Sequence, residues 1–385
     1  MPLNKLKDRP ATLCPMTLFA SHITALKFWM SSLRESGKSV TRLSPGDCPA
    51  ATAKNVRDFA LMGLAERENL HAVVSRPNDR RPDLGLFRMW NPKTPRPSFL
   101  QIGDDLHVST PEACFLQLAG ILDAIDLIIA GMELCGQYVI DTKTGALRRS
   151  NPITTPEKIL DYLNSCSHVR GLPLAKRALK HVVAGAQSPK EIELCMRLCL
   201  PRRMGGLGVP KPEFNPEIRI SPRNLPSQDA LTLRPDLFWS PIKYGVEYDS
   251  KLEHFNEKAA ENDSQRRALF SMAGYSIDSV LPNQLYRIEK LQVIAIIVKK
   301  MYRKLRPNRP FAAPADQIQL RKQISSSQAF SCLTALRIRN QAGSQAKNHA
   351  GSRTDNQPRN PANNQRRTPT EQVHNEPQGQ RAKCS

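Results

Sequence analysis

The sequence predicts an α/β protein in which a mixed sheet is flanked by helices, preceded by a smaller α+β region and followed by a disordered basic tail. Between residues 188 and 305, segments with helical spacing alternate with short strand-like runs. From His71 to Val108, short β-like runs are broken by Pro and Asn. After Arg306, aromatic residues nearly vanish and Gln, Asn, Ser, Pro, Ala and Arg predominate, a composition that buries too little apolar surface to fold.

Residues 1–110 are predicted to form the N-terminal α+β region, for which a winged-helix-like arrangement stays open. Ser21 is suited to cap a helix that runs through Trp29. A second helical stretch is predicted from Ala51 to Leu70, because apolar residues recur there at helical spacing. The clearest strand-like runs are Val73–Val74, Phe87–Trp90 and Phe99–Ile102.

Residues 111–184 are predicted to be a helical connector. Ser109 or Thr110 as the N-cap, Pro111 in the first helical position and Glu112 in the first turn all indicate one helix start. That helix is expected to end near Ile121. Further helices are predicted at Asp123–Gly136, from Thr155 through Leu163, and at Leu174–Val183.

Five basic residues are candidates for contact with DNA. Lys176, Arg177 and Lys180 lie on one predicted connector helix, and Arg266 and Arg267 lie on a later polar helix. A charged helix face is either solvated or contacts phosphate groups, and both interpretations stay open.

Residues 185–305 are predicted to form the main α/β domain. Neighbouring runs joined by short turns favour antiparallel pairing within its sheet. Residues 306–385 are predicted to be the tail, with a short helix at Ile318–Leu336 as the exception. The predicted elements of the domain are a helix Ser188–Leu200, strands Phe214–Ile220, Leu231–Trp239 and Tyr244–Tyr248, a helix Leu252–Ala273, a strand Tyr275–Val280 and a helix Gln284–Leu305.

The charge balance indicates a polyanionic partner. The formal net charge is +21 and the sequence pI is near 9.8. The tail from Arg306 onward contributes +9, so the preceding residues retain an excess of +12. Nucleic acid is the expected partner, and an acidic membrane surface is the alternative.

The cysteines and the apolar segments indicate a cytoplasmic protein without a membrane partner. The nine cysteines are odd in number and show no repeating spacing, which is typical of a reducing compartment. Cys195 and Cys199 are expected to pack in a helix core. The most apolar segment, Phe115–Met132, contains Asp123 and Asp126, so it predicts buried helix and not a membrane span.

Three carboxylates between residues 234 and 254 suggest a metal site. Along the predicted strand Tyr244–Tyr248 and its next residue, Glu247 and Asp249 share one face because side chains alternate. Asp236, on the preceding run, would add a third carboxylate. Oxygen ligands of this kind suit Mg²⁺ or Mn²⁺, which assist hydrolysis of phosphodiester bonds.

Each acidic residue also has a structural interpretation. Glu191 follows Ser188 by three residues, which is the spacing of a capping box. Pro235–Asp236 is a common turn pair. Glu247 and Asp249 could lie on an exposed strand face, where their carboxylates would form ion pairs with arginines of the following helix. His254 lies just past the strand, where it could contact a phosphate or orient water.

These residues resemble the very-short-patch-repair-like endonuclease domain of the PD-(D/E)xK superfamily. The resemblance rests on Ser188-Pro-x-Glu191, Arg234-Pro-Asp236, Val246-Glu-Tyr-Asp249, His254, Asp263, Arg267 and Gly274-Tyr275, across residues 185–300. The upstream run Val108-Ser-Thr-Pro-Glu-Ala-Cys-Phe-Leu-Gln-Leu-Ala is similar to the segment that precedes this domain in proteins with an AbiEi-type antitoxin region.

The resemblance implies a restriction-endonuclease-like sheet with Asp236 and Glu247 as metal ligands and Glu191 as the acidic residue of the helix. His254 would contact the phosphate or water, and a cognate toxin protein would be a partner. Asp249 stands where the superfamily commonly has lysine, and Ser250 stands where glycine usually follows.

Two functions are therefore expected as alternatives. The first is a Mg²⁺-dependent deoxyribonuclease of the cytoplasm. The second is a non-catalytic antitoxin or transcriptional regulator that keeps the nuclease fold only to bind DNA. A third interpretation is an interaction module whose carboxylates are surface groups.

Overall fold

Two sheets and the helices between them share one hydrophobic core in the computed structural model. The described residues belong to one compact unit, so the boundaries expected after residues 110 and 184 stay predictions. The structure describes residues 16–35, 39–41, 43–64, 69–142, 144–220, 231–249, 268–303 and 314–327.

The first sheet has six strands in the order β2-β5-β6-β1-β3-β4. Pairs β1–β6 and β3–β4 are parallel, and the others are antiparallel, so the sheet is mixed. This mixed sheet lies within the residues for which an α+β region was predicted. The strands are β1 (Leu18–Ala20), β2 (Ser39–Thr41), β3 (His71–Val74), β4 (Leu86–Met89), β5 (Phe99–Gly103) and β6 (Leu106–Ser109).

Two helices accompany this sheet, α1 (His22–Met30) and α2 (Ala53–Leu61). The helix expected at Ala51–Leu70 is therefore wrong in length. The chain leaves α2 in a turn in which Gly63 has φ +78°, a left-handed conformation that ends a helix.

The connector contains four helices and a small hairpin that the sequence did not indicate. Thr110 caps α3 by accepting the Ala113 N–H, and Asp123 caps α4 by accepting the Asp126 N–H. These local hydrogen bonds confirm the helix starts. The elements are α3 (Pro111–Leu118), α4 (Ala124–Leu134), β7 (Tyr138–Ile140), β8 (Leu147–Arg149), α5 (Pro156–Asn164) and α6 (Leu172–Leu179). No described helix has both the length and the apolarity that crossing a bilayer requires.

The second sheet has four strands in the order β14-β13-β12-β9, beside a separate β10–β11 pair. Only β13 and β14 run parallel, so this sheet is also mixed, as predicted. Its elements are α7 (Pro189–Cys199), β9 (Glu213–Phe214), β10 (Ile218–Ile220), β11 (Leu231–Leu233), β12 (Leu237–Trp239), β13 (Tyr244–Tyr248) and β14 (Ser276–Val280).

Two predicted strands are each divided in the structure. The run expected at Phe214–Ile220 breaks at Asn215, which has φ +49° and precedes a proline. The run expected at Leu231–Trp239 breaks at Pro235, which has no N–H to donate to a neighbouring strand. The breaks place the two halves of each run in different sheets.

Three helices close the described chain: α8 (Pro282–Leu285), α9 (Ile288–Arg303) and α10 (Pro314–Ser325). The single helix expected at Gln284–Leu305 is interrupted before Ile288. The short helix expected at Ile318–Leu336 corresponds to α10, which begins earlier, at Pro314, and ends at Ser325. It packs against α4 and α7 and buries Leu320 and Ile324. Of the helix expected at Leu252–Ala273, residues 268–272 are helical and residues 252–267 lie outside the described residues.

Candidate active site

The β12–β13 hairpin brings Asp236 and Glu247 to facing positions. Leu237 pairs with Val246 in the antiparallel ladder, so the next position places Asp236 opposite Glu247. Directly opposed residues of such a pair have Cβ atoms about 5 Å apart. Leu237 and Val246 are completely buried and hold the other face of the hairpin in the core.

Gly245 allows the chain before Asp236 to lie close to β13. A Cβ atom at this position would lie 2.7 Å from Ile277 Cδ1 and 2.9 Å from Pro235 Cβ. Both distances are shorter than carbon–carbon contacts allow. The glycine therefore permits Pro235 to pack over the strand, and Asp236 follows it directly.

Asp236 is held by a backbone hydrogen bond and surrounded by other acids. Its Oδ2 accepts the N–H of Tyr248 at 2.6 Å. Its pKa is raised to about 7, chiefly by burial and then by the charges of Glu191, Glu247 and Asp249. The pKa rises although the hydrogen bond from Tyr248 lowers it. Near neutral pH this carboxyl is therefore protonated in a large fraction of molecules.

Glu191 lies in the first turn of α7, and both of its oxygens accept hydrogen bonds. Oε1 accepts from Ser188 Oγ at 2.9 Å, and Oε2 accepts from the Gln187 N–H at 2.8 Å and from Asn215 Nδ2 at 2.7 Å. Ser188 Oγ in turn accepts the Glu191 N–H. Burial raises the pKa of Glu191 above its ordinary value, against the opposing effect of these three donors.

The cap expected at Ser188 is thus confirmed with one difference. The carboxylate of Glu191 accepts the N–H of Gln187, one residue before the N-cap that a capping box would use. This role does not remove Glu191 from the acidic cluster, because its charge raises the pKa of Asp236.

Asn215 joins Glu191 of helix α7 to Asp236, the residue just before β12. Its Nδ2 donates to Glu191, and its backbone N–H donates to the carbonyl oxygen of Asp236 at 3.1 Å. Sequence reasoning missed this residue. An Asn before Pro216 was an available signal, because Asn tolerates the left-handed conformation better than most residues.

Glu247 and Asp249 are half-buried and lie along the junction with the parallel strand β14. Glu247 pairs with Ser279, and the Asp249 N–H donates to the Val280 carbonyl at 3.1 Å. The strand pairing therefore orders the backbone of both predicted ligands, and both side chains lie near enough to raise the pKa of Asp236.

The donor types suit a hard cation, but the described residues do not form a ready coordination set. Within the described ranges, no group of three or more His, Cys, Asp or Glu residues is arranged to hold a metal ion. Glu191 and Asp236 already use oxygens to accept protein N–H and O–H groups. Binding of Mg²⁺ or Mn²⁺ by Asp236, Glu247 and Asp249 would therefore require side-chain rearrangement, and it stays a prediction.

The predicted DNA contacts are only partly described. Arg177 and Lys180 are exposed and Lys176 is half-buried on or beside α6, which packs against α4 and α5. The helix is shifted from the predicted Leu174–Val183, because it starts after Gly171, which has φ +84°. His254, Arg266 and Arg267 lie outside the described residues.

Taken together, the described chain is an α/β protein with two mixed sheets and a cluster of carboxylates around Asp236. No protein-family model matches the chain, and neither the curated proteins nor the solved structures include a match. The likeness to a very-short-patch-repair-like nuclease therefore rests on the residues of the sequence alone.

Proposed function

We propose that the protein is a metal-dependent, endonuclease-like DNA-binding protein that hydrolyses phosphodiester bonds. The observation that supports this proposal best is the environment of Asp236, whose pKa is about 7 because of burial and the charges of Glu191, Glu247 and Asp249. Carboxylates gathered from a helix and from the β12–β13 hairpin repel one another unless a proton or a cation lies between them. A proton held near neutral pH is one that a divalent cation would displace.

The proposal gives these residues the following roles. Asp236, Glu247 and Asp249 would hold Mg²⁺ or Mn²⁺, which when bound would offset charge on the scissile phosphate and lower the pKa of a water molecule. Glu191 and Asn215 would position Asp236 from the side of α7. His254 would contact the phosphate or the water.

The DNA-binding part of the proposal rests on charge. An excess of +12 precedes Arg306, and the exposed Arg177 and Lys180 offer cations for phosphate contacts beside the half-buried Lys176. Arg266 and Arg267, which lie outside the described residues, are further candidates for phosphate contact. Contacts of this kind bind DNA of any sequence and weaken as the salt concentration rises.

The second candidate is a non-catalytic DNA-binding antitoxin or transcriptional regulator, with a toxin protein as its partner. A specific observation favours it. Both oxygens of Glu191 and one oxygen of Asp236 are engaged by protein donors, as in a carboxylate network that stabilises a fold. Asp249 also stands where a nuclease of this superfamily commonly has lysine.

Nicking of supercoiled plasmid DNA separates the two functions. Wild type, Glu247→Ala and Asp161→Asn would be compared with Mg²⁺, with Mn²⁺ and with EDTA. Asp161 is an exposed carboxylate on α5 and serves as the matched control.

We expect metal-dependent nicking by wild type and Asp161→Asn, and its loss in Glu247→Ala. Equal nicking by wild type and Glu247→Ala would contradict the assignment of the site. Salt-sensitive DNA binding by wild type and by Glu247→Ala, without nicking in the presence of either Mg²⁺ or Mn²⁺, would support the regulator instead.

A further inference from the structure

A concave site separate from the carboxylate cluster is bounded by the edge strand β4, by α3 and by α5. Its volume is about 970 Å³, near the upper end of the range typical of small-molecule pockets. No aspartate or glutamate occurs among the described residues that line it. The lining includes three arginines and three aromatic residues: Arg80, Arg88, Arg170, Phe87, Trp90 and Tyr162.

The positive groups of this cavity lie close enough to oppose one another. Burial and the charge of Arg170 lower the pKa of Arg88. Burial, followed by His71 and Arg88, lowers the pKa of His22 to about 3. Within the described part of the chain, Arg80, Arg88 and Arg170 form no ion pair. An anion in the cavity would relieve this repulsion.

Two polar groups at the cavity are buried without partners. Arg88 Nε and Gln117 Nε2 are both inaccessible to solvent and have no hydrogen-bond partner among the described residues. The orientation of the Gln117 amide is fixed, because Oε1 accepts the His22 N–H at 3.2 Å and Ser109 Oγ at 2.9 Å. A buried donor without an acceptor costs stability. Since neither atom is accessible to solvent, a ligand would accept from the other guanidinium nitrogens of Arg88 and from Arg170.

The backbone around the cavity is tightly constrained. His22 begins α1 with φ +47°, an uncommon conformation for a residue with a side chain, and it is one of the residues that line the cavity. A Cβ atom at Gly171 would lie 2.7 Å from the backbone of Ala119. This close packing holds the adjacent Arg170 at the cavity wall.

We propose that this cavity binds a nucleotide unit, with the phosphate against Arg88 and Arg170 and the base against Trp90. The arginines supply the phosphate-binding chemistry, since guanidinium groups form paired hydrogen bonds to phosphate oxygens. The cavity is larger than a phosphate ion alone requires. Its aromatic side chains would have no role with phosphate, whereas an aromatic side chain can stack on any base.

Binding to the full-length protein tests this proposal, and EDTA in the buffer keeps the test independent of the carboxylate site. Adenosine 5′-monophosphate, adenosine and inorganic phosphate would be titrated by calorimetry. We expect the monophosphate to bind one per chain, and adenosine and phosphate to bind at least about tenfold more weakly.

Variants locate the site. Arg88→Gln and Arg170→Gln should each weaken binding of the monophosphate by about tenfold. Arg76→Gln, an exposed arginine outside the cavity, should leave binding unchanged. Because Arg170 is exposed, its replacement tests the site even if Arg88→Gln does not fold.

Unchanged affinity in both cavity variants, or no binding of the monophosphate at millimolar concentration, would overturn the proposal.

If the monophosphate binds as expected, a single-stranded oligonucleotide distinguishes the source of the ligand. Displacement of the monophosphate by the oligonucleotide identifies a nucleotide within a strand. Failure of the oligonucleotide to displace it identifies a free nucleotide.

Discussion

The side-chain amide of Asn215 donates a hydrogen bond of 2.7 Å to the buried carboxylate of Glu191. The same residue donates its backbone N–H to the carbonyl of Asp236 at 3.1 Å. One asparagine therefore couples the start of α7 to the residue that leads into β12. Together with the close packing at Gly245, this coupling fixes the position of Asp236.

Replacement of Asn215 should separate its hydrogen bond from its backbone conformation. Asn215→Gly keeps the left-handed conformation but leaves Glu191 without one donor, so we expect the free energy of unfolding to fall by about 1–3 kcal/mol. Asn215→Ala should cost about 1 kcal/mol more, because alanine is strained at φ +49°. Urea unfolding of the two variants measures both effects. Equal stability of the two variants would show that the conformation does not matter.

The charge of Asp236 should make stability depend on pH. Its pKa is about 7 in the folded protein against an ordinary value of 3.8, so the folded state favours the protonated form. The stabilisation that the protonated Asp236 gives the folded state is fully present below pH about 4. It is lost as the pH rises through about 7, where the buried carboxyl ionises.

Asp236→Asn removes this titration and keeps an oxygen that can accept the Tyr248 N–H. We expect the variant to be more stable than wild type at pH 8, by about 1–3 kcal/mol, and the gain to shrink towards pH 4. The control Asp161→Asn should change the stability by less than about 0.5 kcal/mol at both pH values. Denaturant unfolding at the two pH values is the measurement, and a gain that grows towards acid would contradict the sign.

Gly245→Ala should destabilise the hairpin that positions Asp236. The added methyl group would meet Pro235 at 2.9 Å, and the proline ring has little freedom to move aside. We expect a loss of about 1–3 kcal/mol in thermal or urea unfolding. Gly46→Ala is the matched control, because its Cβ would lie 3.8 Å from the closest side-chain atom. A similar loss in both variants would indicate a general effect of replacing glycine by alanine.

The basic surface at α6 should contribute to DNA affinity without sequence preference. Arg177→Gln combined with Lys180→Gln should reduce the slope of log K against log salt by about one for each phosphate group that the variant no longer binds. Lys158→Gln, an exposed residue of α5, is the control. Fluorescence anisotropy with duplexes of two unrelated sequences measures the slopes, and a change on only one duplex would indicate base recognition instead.

Local signals in the sequence predicted the helix starts and the pairing of the site hairpin. Thr110, Asp123 and Ser188 each accept an N–H three residues later, a hydrogen bond that depends only on neighbouring residues. The division of the strand at Pro235 was missed, although proline carries the signal. The apolar residues on both sides of Pro235 suggested one continuous strand. The break is visible only in the structure, where β11 pairs with β10 and β12 pairs with β13.

The order of residues along the chain is enough to establish where the helices begin, which strand faces are apolar, and that Glu247 and Asp249 share a face. These properties follow from local hydrogen bonds and from the alternation of side chains along a strand. The folded arrangement was needed to establish that Glu191 is buried beside Asp236, that Asn215 joins them, and that arginines from β4 and the segment before α6 line one cavity. Burial and the Coulomb energy between charges depend on distances between segments far apart in the chain, and folding alone sets those distances.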